Sequence, residues 1–417
     1  MTKEKSTVPR LRFPGFTDAW KQRKFSDLAE VRRGLTYSPS AIRSHGVRVL
    51  RSSNINEDTF VFGEDDVFVD KSVVKIPLVE EGDILITSAN GSSRLVGKHS
   101  IIKGLPSNSA IHGGFMLLAS SKVPCFLNAF MSSTWYHKFI GLYVAGGNGA
   151  IGNLNKSDLD EQIVLVPTLP EQEAIGSFFS DLDQLITLHQ RKLDDVKELK
   201  KALLQKMFPK GNGNDFPELR FPEFTDAWKQ RKLGEVAISF DYGLNSAATE
   251  YDGENKYLRI TDIDDDSREF NISNLTSPEI NLFGLDEYRL SIGDILFART
   301  GASVGKSYIY RSVDGKVYFA GFLIRVKIKD TFNPDFVFQN TLTSNYERFI
   351  SITSMRSGQP GVNAQEYSNY EIMFPTLSEQ EAIGSFFSDL DQLITLHQRQ
   401  LDYLKLLKKA LLQQMFI

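Results

Sequence analysis

Nine residues, "FTDAWKQRK", occur at Phe16–Lys24 and again at Phe224–Lys232, 208 positions apart. A longer stretch, "EQEAIGSFFSDLDQLITLHQR" from Glu171 to Arg191, returns unbroken at Glu379–Arg399 with the same offset. Between these copies the wording drifts but stays in register. "VLRSSNI" at Val49 answers "YLRITDI" at Tyr257, and the "VGK" ending at Lys98 answers the one ending at Lys306. "GDIL" at Gly82 recurs at Gly293, slipped by three. Internal repeats settle architecture before any local pattern does. The chain is a tandem duplication, each half made of an opening box, a divergent middle and a near-identical helix. Two middles alike in plan but different in surface suit the binding of two different things with one geometry. The unchanged parts suit one kind of partner met twice.

The helix is the clearest local feature. After "PTLPEQ" at Pro167 there is no glycine beyond Gly176 and no proline until Pro209, once Pro170 is passed. Pro170 with Glu171 and Glu173 in the first turn makes a helix start. Counting in sevens from Ile175 places Leu182, His189, Val196 and Leu203 at a positions. Phe178, Leu185 and Leu199 fall at d, with Lys192 and Lys206 interrupting that set. In the second copy Ile383, Leu390, His397, Leu404 and Leu411 take a, and Phe386, Leu393 and Leu407 take d. The repeat predicts two coiled-coil helices, each roughly 57 Å long at ~1.5 Å per residue, that cover each other's stripe. His189 and His397 read as polar seam residues that set register. The first helix leaves one lobe and the second returns, so the pair is expected to be antiparallel.

The middles read as mixed α/β. "DILIT", "IVLVP", "DILFA" and "FLIRVKI" are short apolar runs bounded by turn formers, as strands are. "LNAFMSSTWYHKFIGLYV" and "PDFVFQNTLTSNYERFISIT" read as amphipathic helices in matching places. Each is followed by a Gly- or Asn-rich loop, "AGGNGAIGNLN" or "RSGQPGVNAQ", the kind of segment that carries recognition. The predicted fold is two globular α/β domains, 1–166 and 211–374, in a pseudo-two-fold duplication. Antiparallel spacer helices, 167–210 and 375–417, separate them.

Several functions are set aside by what the chain lacks. No apolar run of about 18 residues appears, so no membrane span is expected, and the opening "MTKEKSTVPR" has no signal-peptide core. A cytoplasmic location follows. The single cysteine, Cys125, offers neither a disulfide nor a zinc cluster and reads as a small core residue. His45, His99, His112 and His137 show no metal-ligand spacing. "GASVG" at Gly301 matches a nucleophile elbow, but "KSYIYRS" after it reads as a strand where a helix is required. "TGASVGKS" falls one residue short of a phosphate loop. No methyltransferase or nuclease motif is present, so no catalytic residue, bound cofactor or metal is expected. The net charge of −4 weighs against a surface that faces phosphate everywhere. The acid is clustered, however, at Glu64–Asp66 and Asp262–Glu269, which leaves room for a basic groove.

The boxes in order are "FTDAWKQRKLGEVA", "GDILFARTGASVGK", "SGQPGVN", P-T-L-x-E-Q and the long helix, with a second set across the chain. This arrangement resembles the specificity subunits of type I restriction–modification enzymes, over essentially the whole length. The first half departs at "SANGSSRLVGK", which has no arginine at the place of Arg299. The resemblance implies two target-recognition domains, each reading half of a split double-stranded DNA sequence, with the helices as spacer. It also implies docking of two adenine-methyltransferase subunits and, through them, restriction subunits. S-adenosylmethionine, ATP and Mg would sit on those partners.

The residues able to touch phosphates or base edges are Arg51, Ser53 and Asn54 in the first lobe, matched by Arg259 and Thr261 in the second. Arg299, Thr300, Ser303 and Lys306 join them, with Arg94 and Lys98 as rough counterparts. Asp262, which matches Asn54, suits either a structural brace or a cytosine amine. Two other readings stay open: a two-lobed scaffold that binds no DNA, and the recognition part of another multisubunit methyltransferase.

Overall fold

The structure is a computed structural model, which describes residues 7–144, 153–210 and 216–417. The 145–152 part of the loop "AGGNGAIGNLN" and the 211–215 part of the linker before the second box lie outside the described residues. The chain divides into two compact units, Met1–Gln190 with Arg399–Ile417, and Arg191–Gln398.

One plan is built twice. In the first unit an antiparallel sheet runs in the order Glu30–Arg33, Met116–Ser120, Ile84–Thr87, His99–Ile101. In the second unit the order is Ala237–Tyr242, Leu323–Ile328, Ile295–Ala298, Ser307–Ile309. The inner strands Ile84–Thr87 and Ile295–Ala298 are buried along their whole length, which is why "ILIT" and "ILFA" are apolar without alternation. Beside each sheet lies a parallel pair. Val47–Leu50 pairs with Ala110–His112 in the first unit, and Lys256–Leu258 with Val317–Phe319 in the second. The "KQRK" of each box forms a strand, Lys21–Lys24 on Ile163–Val166 and Lys229–Lys232 on Glu371–Phe374.

The two amphipathic segments differ from expectation, since each is two helices. They are Pro124–Met131 and Thr134–Val144 in the first unit, and Pro334–Asn340 and Ser344–Thr353 in the second. At the breaks, Ser132 Oγ donates to the Asn128 carbonyl at 3.0 Å and Thr343 Oγ1 to the Asn340 carbonyl at 2.7 Å. Hydroxyls that engage backbone carbonyls in this way compete with the helical ladder. Cys125 is half-buried.

The long helices are Leu169–Met207 and Leu377–Met415. Within each unit an end of one meets the opposite end of the other. In the first unit Phe416 lies 5.9 Å from Phe179, and Lys408 pairs with Asp183 at 2.8 Å. In the second, Phe208 lies 6.1 Å from Phe387, and Lys200 pairs with Asp391 at 2.5 Å. In both units the first residue numbers fall as the second rise, so the paired stretches are antiparallel. The boxes sit at these joints: Trp20 meets Phe416 at 6.1 Å and Trp228 meets Phe208 at 6.2 Å. Arg12 and Arg220 each fork onto a fully buried glutamate at a helix start, Glu171 and Glu379.

The heptad spacing holds, but the inward stripe is rotated by one position at d. The a positions Ile175, Leu182, His189, Val196 and Leu203 are buried or half-buried, as are Ile383, Leu390, His397, Leu404 and Leu411. The d positions Leu185, Leu199 and Leu393 are exposed, and Phe178, Phe386 and Leu407 are half-buried. The positions after them are buried instead: Phe179, Leu193, Met207, Phe387, Ile394, Leu401 and Met415. Residues three and four apart both lie beside a given position on a helix, so Phe178 and Phe179 compete for one seam. Lysines at 192 and 206, next to Leu193 and Met207, tip the choice.

Candidate nucleic-acid interface

In the second unit, two loops meet at one end of the sheet. The loop after Ile295–Ala298 lies against residues 359–362. Gly301 N donates to the Pro360 carbonyl at 3.0 Å, and Val362 N to the Arg299 carbonyl at 2.9 Å. The "RTGAS" and "SGQPGVN" boxes, more than 50 residues apart in the chain, are therefore one surface. The loop also starts a β-hairpin, because the strand after it, Ser307–Ile309, is antiparallel to Ile295–Ala298. Neither an elbow nor a phosphate loop has that geometry.

Arg299 is the centre of this surface. Its guanidinium lies 5.1 Å from the Tyr242 ring and 5.8 Å from the Phe322 ring. Among the described residues no carboxylate pairs with it. Tyr242 and Phe322 are exposed, Phe322 by 57%. Large exposed aromatics holding an unpaired arginine make a flat cationic platform, suited to an anion or a base. Thr300 and Ser303 are half-exposed next to it.

The two other cations proposed from sequence in this unit are already engaged. Arg259 forks onto Asp262, with Nε and Nη2 each 2.8 Å from a carboxylate oxygen. Asp262 is buried, accepts the Arg259 amide at 3.0 Å and lies 3.3 Å from the Thr261 hydroxyl. It is a brace of the turn. Lys306 pairs with Asp265 at 2.5 Å and reaches the Ile263 carbonyl at 3.4 Å, which joins the 259–265 turn to the 299–306 loop. The acidic run at Asp262–Glu269 thus holds the recognition turn together.

The first unit repeats this economy. Asn54 is fully buried: its Oδ1 accepts the Arg51 amide at 2.8 Å, and its Nδ2 donates to Asp66 at 2.7 Å and to the Val61 carbonyl at 3.1 Å. A side chain so occupied has no donor left for a base. Arg51 donates to the Asp65 carbonyl at 2.7 Å, and Arg48 pairs with Asp66 at 2.5 Å. Ser53 is exposed, while Asn90 Nδ2 donates to Ser52 Oγ at 3.0 Å and joins the turn to the 88–98 loop. Arg94 is exposed and Lys98 half-buried, and among the described residues neither meets a carboxylate. No cluster of metal-ligating side chains occurs among the described residues, and no described helix is long and apolar enough to cross a membrane.

One domain built twice in a chain is the plan of a known family. The model of the "Type I restriction modification DNA specificity domain" matches residues 17–198 and again 225–406. The chain belongs to this family. Its two specificity domains are the two repeats, and each match takes in a box, a lobe and most of a long helix. Over 388 residues the chain is 24% identical to the type I restriction enzyme StySPI specificity subunit of Salmonella potsdam, covering 88% of this chain and 81% of that one. Over 385 residues it is 23% identical to the EcoKI specificity subunit of Escherichia coli K12, covering 88% and 81%. The fold is similar to the crystal structure of the S subunit of a type I restriction–modification system from M. genitalium. That match has a TM-score of 0.65 and 15% identity, over 98% of this chain and 99% of that one.

Sequence reasoning missed Tyr242 and Phe322 in the specificity domain. Their signal was weak: Tyr242 ends its strand and Phe322 directly precedes one, and each has other aromatics within four residues. Only the sheet puts Tyr242, at the end of the edge strand, beside a loop 57 residues further on.

Proposed function

We propose that this chain is the DNA-reading subunit of a multisubunit restriction–modification complex, with each unit reading one half of a split duplex sequence. Arg299 carries this reading. An arginine without a carboxylate, stacked on exposed aromatics beside Thr300 and Ser303, is free to take a guanine edge. Phosphate contacts then position each lobe while base contacts specify. The net charge of −4 is no obstacle, because the acids nearest the loops are spent on bracing Arg259, Lys306, Arg51 and Arg48.

The chain performs no chemistry itself. Two methyltransferase subunits dock on it, and restriction subunits join through them. S-adenosylmethionine, ATP and Mg lie on those partners, and the complex works in the cytoplasm. The docking faces are on the long helices, where Leu185, Leu188, Leu199, Leu393, Leu396 and Leu406 are exposed. Apolar side chains repeated along a helix and facing water favour a protein partner. Helix length then sets the number of base pairs between the half-sites.

The test is to sequence methylated adenines in DNA of cells expressing the chain with its methyltransferase. A two-part motif with a fixed gap is expected, and Arg299→Ala should relax one base of one part by ~1–3 kcal/mol of discrimination. Methylation without sequence preference would refute the reading.

A further inference from the structure

The two lobes can be superposed residue by residue through their backbone bonds, without reference to sequence likeness. Leu35 bridges Gly113 in parallel in the first unit, and Leu244 bridges Ala320 in the second. Leu35 N donates to the His112 carbonyl at 2.9 Å, as Leu244 N does to that of Phe319 at 2.8 Å. Just before these bridges stand Gly34 and Gly243, where the backbones approach so closely that a Cβ would fall 1.9 Å and 2.2 Å from a facing carbonyl oxygen. Only glycine fits either place. One strand over, Ser88 N donates to the Phe115 carbonyl at 2.9 Å, as Arg299 N does to that of Phe322 at 3.0 Å. The platform of the second unit, Tyr242, Arg299 and Phe322, therefore occupies the backbone positions of Arg33, Ser88 and Phe115 in the first.

The aromatic that follows the bridge is kept, and Phe115 is 74% exposed. The arginine is kept as well, but on the other strand. Arg33 ends the edge strand Glu30–Arg33 and is exposed, and among the described residues it has no carboxylate partner. Its neighbour Arg32 differs in every respect: it is half-buried and bound to Asp83 at 3.2 Å and Ser120 at 2.9 Å. Successive strand residues point to opposite faces, so a structural role for Arg32 leaves Arg33 on the platform side.

We infer that Arg33 is the base-contacting arginine of the first unit, with Phe115 beside it, and that the two lobes differ in which strand carries the arginine. The inference rests on the proposal that the lobes read DNA. It explains how one scaffold addresses two half-sites: a guanidinium moved to the adjacent strand reaches a different base step, while the fold beneath is unchanged. It also removes the apparent lack of a first-lobe counterpart to Arg299.

The experiment compares the full chain, assembled with its methyltransferase subunits, with Arg33→Ala and Arg299→Ala variants. Each is read by sequencing the adenines methylated in a randomised DNA pool. Arg33→Ala should relax one base of the half-site that Arg299→Ala leaves intact, with at least a 10-fold loss of preference there. The other half-site, still read normally, shows that the variant is folded and assembled. If Arg33→Ala leaves both half-sites as specific as before while Arg299→Ala relaxes one, the inference falls and the DNA-reading proposal stands. It falls equally if both variants relax the same half-site, or if Arg33→Ala weakens all sequences alike, the mark of a phosphate contact. If the unaltered chain directs methylation with no preference, the underlying proposal falls.

Discussion

The joints where the boxes meet the helix ends and the platforms at the sheet ends obey opposite rules. At the joints the two units use the same residues: Trp20 and Trp228, Phe416 and Phe208, Arg12 on Glu171 and Arg220 on Glu379. At the platforms Arg33, Ser88 and Phe115 answer Tyr242, Arg299 and Phe322. The rings and glutamates of the joints are buried, so a change there leaves a cavity or an unpaired charge. On the platforms Arg33, Phe115, Tyr242 and Phe322 are exposed, on a backbone that their identity does not hold in place. Duplication produced two copies of each. Packing preserved the joint, and exposure allowed the platform to vary.

The comparison breaks most readily at the joint. Phe208→Ala and Phe416→Ala should each cost about 3–5 kcal/mol, as buried phenylalanines do. Urea unfolding should show the two losses to be equal within error. Unequal losses would mean that the joints are not the same structure.

Acid should separate the units. Burial pushes the His112 imidazole down to about 4, and His99 is lowered by burial too. The positions that answer them in the second unit are Phe319 and Ser307. Below the ordinary histidine pKa of about 6.5 the unfolded chain takes up the proton first. Stability present above pH 6.5 is therefore lost as pH falls toward 4, by up to about 3 kcal/mol for His112. Hydrogen exchange should show the loss in strands 47–50 and 110–120 and not in 256–258 and 317–328. His112→Phe should flatten it.

The helix seam gives a smaller contrast. Leu193→Ala and Leu401→Ala should each cost at least about 2 kcal/mol, since both are buried. Leu199→Ala, half-exposed, should change the stability of the isolated chain by less than about 0.5 kcal/mol. Equal costs would restore the seam read from the heptad count.

The smallest effect belongs to the platform. Phe115→Ala and Phe322→Ala should leave the melting of the isolated chain within about 0.5 kcal/mol of the parent. The same changes should weaken DNA binding by the assembled complex. A large loss of stability would recast these rings as core.

Much of this protein was legible in its sequence because the signals are periodic or repeated. The 208-residue offset, the heptads from Ile175 and Ile383, and the short apolar runs at Ile84 and Ile295 each depend on near neighbours. Local periodicity is a property that the chain carries before it folds. What stayed hidden involves choices between neighbours or partners far apart. Whether Phe178 or Phe179 faces inward depends on the helix that covers it. Arg259 and Arg299 look alike as letters, yet Asp262 neutralises one and, among the described residues, no acid reaches the other. Arg33, Ser88 and Phe115 form a surface only because sheet register joins strands from three stretches of chain. Tertiary structure decided which charges were left free, because pairing depends on distances that the order of residues does not contain.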